Sequence, residues 1–195
     1  MYFDLKYGGS FRVVCSLAAL LLVAGSVVAL GQAADPRVDT IRKIYADVNG
    51  RIAEMKKNPA ESSIFAVEIA VNKYSAPYPA VGIYQRTATF YYTYGDREEN
   101  PYPGRLIKIE TTDARSAKKE RGEYYFGDGG QPIFVFLSKE DTEMRLYFFG
   151  SALIRMVEAA RTIDVRSRQA AAAKAAALKE STRLSNIFRA AIRDD

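Results

Sequence analysis

The sequence predicts an α+β fold: an N-terminal amphipathic helix packed on an antiparallel meander sheet of about seven strands, followed by a C-terminal Ala-rich basic helix. Three observations predict this class. Apolar residues recur at helical spacing over residues 36–57, alternate with polar residues within residues 63–158, and return to helical spacing after that. We therefore divide the chain into residues 1–33, a single domain of residues 34–160, and a helical segment of residues 161–195.

Residues 1–33 have the pattern of a signal peptide. Lys6 and Arg12 give a positive start, an uncharged run follows, and small-x-small cleavage sites end at Gly31 and at Ala33. The pattern predicts a periplasmic or secreted protein. The alternative is an uncleaved N-terminal membrane anchor, because the apolar run approaches the ~20 residues that a spanning helix needs. In both cases the positive start places the folded part outside the cytoplasm.

The composition excludes several classes of chemistry. The chain has no histidine, and its single cysteine, Cys15, lies in the predicted signal. Thiol nucleophiles, Ser-His-Asp triads and ordinary zinc sites are therefore excluded from the mature protein. We expect no catalytic residue, no cofactor and no metal.

The first predicted helix begins at Asp35-Pro36, an N-cap followed by a proline at the first helical position. Asn58-Pro59 ends it. Its apolar stripe predicts a face that docks on a sheet, and a coiled-coil seam is the alternative. The stripe consists of Val38, Ile41, Tyr45, Val48, Ile52 and Met55.

The meander begins where the apolar period changes to two. The first strand starts at Ser63, the second covers Ile83 to Tyr94, and the third covers Arg105 to Thr111. Two hairpins with glycine-containing turns follow, over residues 123–136 and 145–157.

Two strand positions raise the question of carboxylate catalysis. Glu68 and Glu110 are candidates for a catalytic carboxylate pair, but their spacing fits solvent-facing strand positions better.

Three positions of the sheet region are candidate binding residues. Tyr78 and Tyr102 each lie in a Pro-Tyr-Pro triplet, which predicts either a turn that covers the sheet edge or a rigid exposed anchor for a ligand. Arg86 interrupts the aromatic face of the second strand. We expect it either to pair with an acid across the strand, to extend toward solvent, or to bind an anion.

The C-terminal segment carries most of the net positive charge of the chain. The chain has a formal net charge of +5, and residues 161–195 contain eight basic and four acidic residues, which is +4. Arg183, Arg189 and Arg193 are candidate partner contacts on its basic face. The helix has three possible roles: it folds back on the domain, binds a partner helix, or contacts an anionic membrane surface.

These observations predict an exported, non-catalytic binding or scaffold protein that contacts a protein or an envelope component through the basic helix. One alternative is an enzyme that uses carboxylate or Tyr/Lys chemistry in a concavity of the sheet. A second alternative is a binder of anionic polymer or lipid at the envelope surface. Export makes nucleic acid an unsuitable target, and the sequence sets no oligomeric state.

Overall fold

The computed structural model describes residues 35–79, 82–94, 103–115, 118–140 and 142–192. The predicted signal, Tyr102 and Arg193 lie outside these residues. Two helices, α1 (Pro36–Lys57) and α2 (Arg168–Ile192), flank one antiparallel sheet. Its nine strands are β1 (Ile64–Val71), β2 (Pro77–Tyr78), β3 (Gly82–Tyr94), β4 (Pro103–Arg115), β5 (Lys118–Phe126), β6 (Pro132–Lys139), β7 (Thr142–Phe149), β8 (Ala152–Glu158) and β9 (Arg161–Ile163).

Helix α1 begins as its sequence dictates. The side chain of Asp35 accepts a hydrogen bond from the backbone N–H of Arg37, with Pro36 at the first helical position. Not every residue of the predicted apolar stripe is buried. Tyr45 remains 40 % exposed, and the centre of its ring lies 5.0 Å from that of Tyr125. The buried residues of α1 are Val38, Ile41, Val48 and Ile52.

The sheet is a meander in which each long strand pairs with the next one along the chain. Its order is β1-β3-β4-β5-β6-β7-β8-β9, and β2 pairs with β3 alongside β1. The antiparallel α+β class with a C-terminal helix is therefore confirmed. The count of about seven strands was too low, because two short strands, β2 and β9, carry little alternation of their own.

Each face of the sheet is covered by one helix. On the α1 face, the helix packs on Ile64, Tyr91, Ile107, Tyr125, Phe134 and Tyr147. On the other face, α2 contributes Ala170, Ala177, Leu184 and Phe188 to a cluster with Ala88, Phe90, Ile109, Tyr124, Phe126, Val135, Leu146, Phe148 and Met156. Two cores form, one on each side of the same strands.

The C-terminal segment differs from the prediction in where its helix begins. Residues 161–163 form strand β9, because Ala159 and Ala160 adopt positive φ and turn the chain back on β8. The helix starts only at Arg168, and Ser167 caps it by accepting a hydrogen bond from the backbone N–H of Ala170. Helix α2 folds back on the domain, which was one of the three roles open to it. Within the described residues, no helix is long and apolar enough to cross a membrane.

Candidate functional site

An ion-pair cluster ties α2 to the sheet. Arg86 on β3 lies directly across the strand pair from Asp113 on β4, with 3.7 Å between Nε and Oδ1. Its Nη2 also lies 2.5 Å from Oε1 of Glu180 on α2. Arg183, one turn further along α2, places Nη2 2.7 Å from the same oxygen. Tyr84 completes the cluster by donating its hydroxyl to Asp113.

The cluster holds its groups in fixed charge states. The hydrogen bond from Arg183, with the charge and hydrogen bond of Arg86, lowers the pKa of Glu180 to about 2, although burial acts in the opposite direction. The hydrogen bond to Glu180 in turn raises the pKa of Arg183. Arg86 and Arg183, both predicted as binding residues, are thus brought together, but each is already paired within the fold.

Beside this cluster, a cleft of about 600 Å³ lies on the sheet next to α2, which contributes Glu180 to its lining. Arg86, Asp113 and Glu180 form one wall. The floor includes Gly122, in the middle of β5. A Cβ at this position would lie 2.7 Å from Oγ1 of Thr111 and 3.0 Å from Cε2 of Tyr124, so a larger residue would displace both side chains.

Tyr124 lies at the bottom of the cleft. Its side chain belongs to the α2-face core, yet its hydroxyl makes no hydrogen bond within the part of the chain that the structure describes. Burial first, and then the charge of Glu180, raises the pKa of this phenol. The group therefore stays protonated at neutral pH and is available as a hydrogen-bond donor.

Glu180 and Tyr124, the two groups of the cleft whose pKa values are shifted, are poorly suited to proton transfer. A general acid or base works best with a pKa near the working pH. The pKa of Glu180 lies far below neutrality, and that of Tyr124 is displaced upward. The predicted carboxylates are elsewhere: Glu68 is exposed on β1, and Glu110 lies on the α1 face, half-buried rather than open to solvent.

The outer side of α2 faces solvent and is cationic. Arg168, Lys179 and Arg183 lie on one side of the helix, since eleven and then four residues separate them along a 3.6-residue turn. Arg189 is also exposed and donates a hydrogen bond to Oδ1 of Asn186 at 3.3 Å. We call these four cations the basic face of α2. The side chains between them include exposed alanines, so the face is flat.

Near the predicted anchor Tyr78, the structure exposes a second tyrosine that the sequence analysis missed. Tyr78 lies in β2, against the β3 edge, and is half-exposed. Tyr74 is 89 % exposed on the preceding loop. Asn72 braces that loop through hydrogen bonds to Ala76 and to the backbone carbonyl of Tyr84. The Asn-Lys-Tyr-Ser sequence after a strand was the available signal.

A buried polar network beneath α1 also escaped prediction. Lys108, only 3 % exposed, places Nζ 2.5 Å from Oε1 of Glu110 and 3.2 Å from Oε2 of Glu123. It also donates to Oδ1 of Asn49 on α1 at 2.8 Å, and the Tyr125 hydroxyl, which donates to Oε2 of Glu123 at 2.6 Å, lies 2.9 Å from the same Asn49 oxygen. The signal was a single lysine inside an apolar strand. The network joins α1 to the sheet, on the face opposite the cleft described above.

No cluster of metal-ligating side chains occurs among the described residues. Comparison of the chain with protein-family models, curated proteins and solved structures gives no match. Function is therefore argued from the geometry of the molecule itself.

Proposed function

We propose that the chain is an exported, non-catalytic binding or scaffold protein that contacts an acidic protein or other envelope component through the basic face of α2. One observation carries this proposal. Of the four cations on this face, only Arg183 has an ion-pair partner among residues 35–192 as described. The other three are Arg168, Lys179 and Arg189. Cations that the fold leaves unpaired and exposed are available to an external acidic surface.

The way α2 is packed favours a protein partner over an inserted membrane contact. An amphipathic helix that enters a bilayer does so with its apolar face. Here Leu184 and Phe188 pack on the sheet, so only the cationic and small residues face outward. Small exposed side chains let a partner approach the helix closely, and guanidinium groups match the geometry of carboxylates.

Charge reversal on the basic face tests the proposal. In the folded unit of residues 33–195, Lys179→Glu with Arg189→Glu changes the net charge by four without touching the core. The matched control, Lys43→Glu with Lys73→Glu, makes the same change at exposed positions away from α2. We expect proteins captured from an envelope extract by the wild type and the control to be lost with the α2 variant. Their capture should weaken with added salt, because exposed charges are screened beyond ~10 Å at 0.1 M.

Two results would contradict this assignment. Capture that survives the reversal on α2 would remove the basic face from the interface. Retention of purified anionic vesicles or heparin, with no protein partner enriched, would favour the alternative of an anionic polymer or lipid ligand. Circular dichroism of both variants should match the wild type.

A further inference from the structure

Two buried residues of the cleft, Tyr124 and Thr111, carry hydroxyl groups whose hydrogen-bonding capacity the fold does not satisfy. Tyr124 is 4 % exposed and Thr111 is 5 % exposed. Neither hydroxyl has a hydrogen-bond partner among the described residues. Both residues line the cleft, and neither oxygen is among the fully enclosed atoms without a partner, so each keeps contact with open space. Buried polar groups are normally paired, which makes two adjacent exceptions at one cleft informative.

Gly122 makes room for the side chains that carry these hydroxyls. Its missing Cβ would lie 2.7 Å from the Thr111 hydroxyl oxygen, closer than real side chains approach. Glycine weakens the interior of a strand and often marks a place where a ligand comes close to the backbone. Leu137 and Met144 supply apolar surface in the same cleft. The floor therefore combines a flat apolar area with two hydroxyls.

Most of the charges around the cleft are matched within the fold, while Arg115 lies over the ring of Tyr84 and Glu158 accepts a hydrogen bond from Gln169. Arg86 pairs with Asp113 and Glu180, and Lys139 lies 3.2 Å from Glu120. A charged ligand would have to compete with these ion pairs. A ligand hydroxyl would not, because an ionised carboxylate has about four lone-pair sites and can accept a further hydrogen bond while it remains paired.

We propose that this cleft binds a small uncharged ligand rich in hydroxyl groups, of the size of one or two sugar rings, which hydrogen-bonds to Tyr124 and Thr111 and lays its C–H face against Leu137 and Met144. The cleft volume of about 600 Å³ is sufficient for such a ligand. Tyr124 acts as the donor, since its raised pKa keeps the phenol protonated. This site is independent of the basic face of α2, because Tyr124 and Thr111 lie on the sheet side of the helix.

Ligand-observed NMR titrations of the folded unit with glucose and N-acetylglucosamine test the proposal, with phenol and inorganic phosphate as comparison probes. We expect saturable binding of at least one sugar. Tyr124→Phe should weaken it about three- to tenfold, the loss of one uncharged hydrogen bond. The control Tyr74→Phe, which removes an exposed hydroxyl away from the cleft, should leave it unchanged.

The thermal midpoint of Tyr124→Phe should equal that of the wild type, because the hydroxyl has no described partner within the protein. Gly122→Ala should weaken binding, because its Cβ would displace the side chains of Thr111 and Tyr124, and Tyr124→Phe keeps the proposal decidable if the alanine variant does not fold. The proposal is overturned if neither sugar binds saturably, if Tyr124→Phe binds as the wild type does, or if phosphate or phenol binds more tightly than both sugars. None of these results bears on the charge-reversal experiment on α2.

Discussion

Replacing Lys108 with methionine tests how α1 is held on the sheet. Methionine retains an unbranched stem of similar length but removes the charge. The ammonium group that is lost contacts Glu110 at 2.5 Å, Glu123 at 3.2 Å and Asn49 at 2.8 Å. The variant therefore leaves a buried carboxylate, Glu123, with one cation fewer.

The structure sets the expected magnitude. Removing one partner of a buried ion pair destabilises a protein by about 3–5 kcal/mol, because the remaining charge stays desolvated. Glu123 retains Arg121 at 2.5 Å and the hydroxyl of Tyr125 at 2.6 Å. We therefore expect the lower end, about 3 kcal/mol. At about 2–4 °C per kcal/mol for a chain of this size, the thermal midpoint should fall by about 6–12 °C.

Urea denaturation followed by circular dichroism measures this free energy of unfolding. Lys43→Met, an exposed position on α1, is the control and should change stability by less than about 0.5 kcal/mol. Adding Glu123→Gln to Lys108→Met removes the stranded carboxylate and should recover part of the loss. A loss below about 1 kcal/mol for Lys108→Met, or a double variant no more stable than the single one, would refute the reasoning.

Two further outcomes follow from α2. The pKa of Glu180 is lowered to about 2 in the folded state, so its ion pairs with Arg86 and Arg183 stabilise the protein fully above the ordinary glutamate pKa and are lost as pH falls from about 4.5 toward 2. Acid titration followed by circular dichroism should therefore show a smaller loss of stability over this range for Glu180→Gln, and equal acid sensitivity would count against the ion pairs. Phe188→Ala should lower the free energy of unfolding in urea by about 3 kcal/mol, because its buried ring packs against neighbouring aromatic rings. The exposed control Arg189→Ala should change it by less than about 0.5 kcal/mol.

The local features of the chain were readable from sequence because they depend on near neighbours. The N-cap at Asp35, the apolar stripe that follows it and the glycine turn over residues 127–130 each act within one turn of the backbone. The sequence left open whether α2 docks on the domain, and it did not indicate that α2 covers the face opposite α1. The signal lay in Tyr124-Tyr125-Phe126, where apolar residues do not alternate, as expected for a strand buried on both sides.

The candidate sites were harder to predict, because they form between distant residues. Arg86 and Glu180 meet only when α2 crosses the sheet, 94 residues along the chain. The unsatisfied hydroxyl of Tyr124 cannot be told in sequence from those of the chain's other tyrosines. The surroundings of this hydroxyl depend on Gly122, because a Cβ at that position would lie against Thr111 on the neighbouring strand. No periodicity within one segment reports such contacts.

The placement of α1 and α2 has a consequence for biosynthesis. Among the described elements, the two helices that close the faces of the sheet are made first and last, with the nine described strands between them. Until residues 168–192 have emerged, the face that contains Phe90, Tyr124 and Phe148 has no helix to cover it. Chains interrupted before that point expose a broad aromatic surface, the kind that holding chaperones bind and that aggregates when unprotected. Helix α2 thus completes the second core of the sheet, whatever partner it meets afterwards.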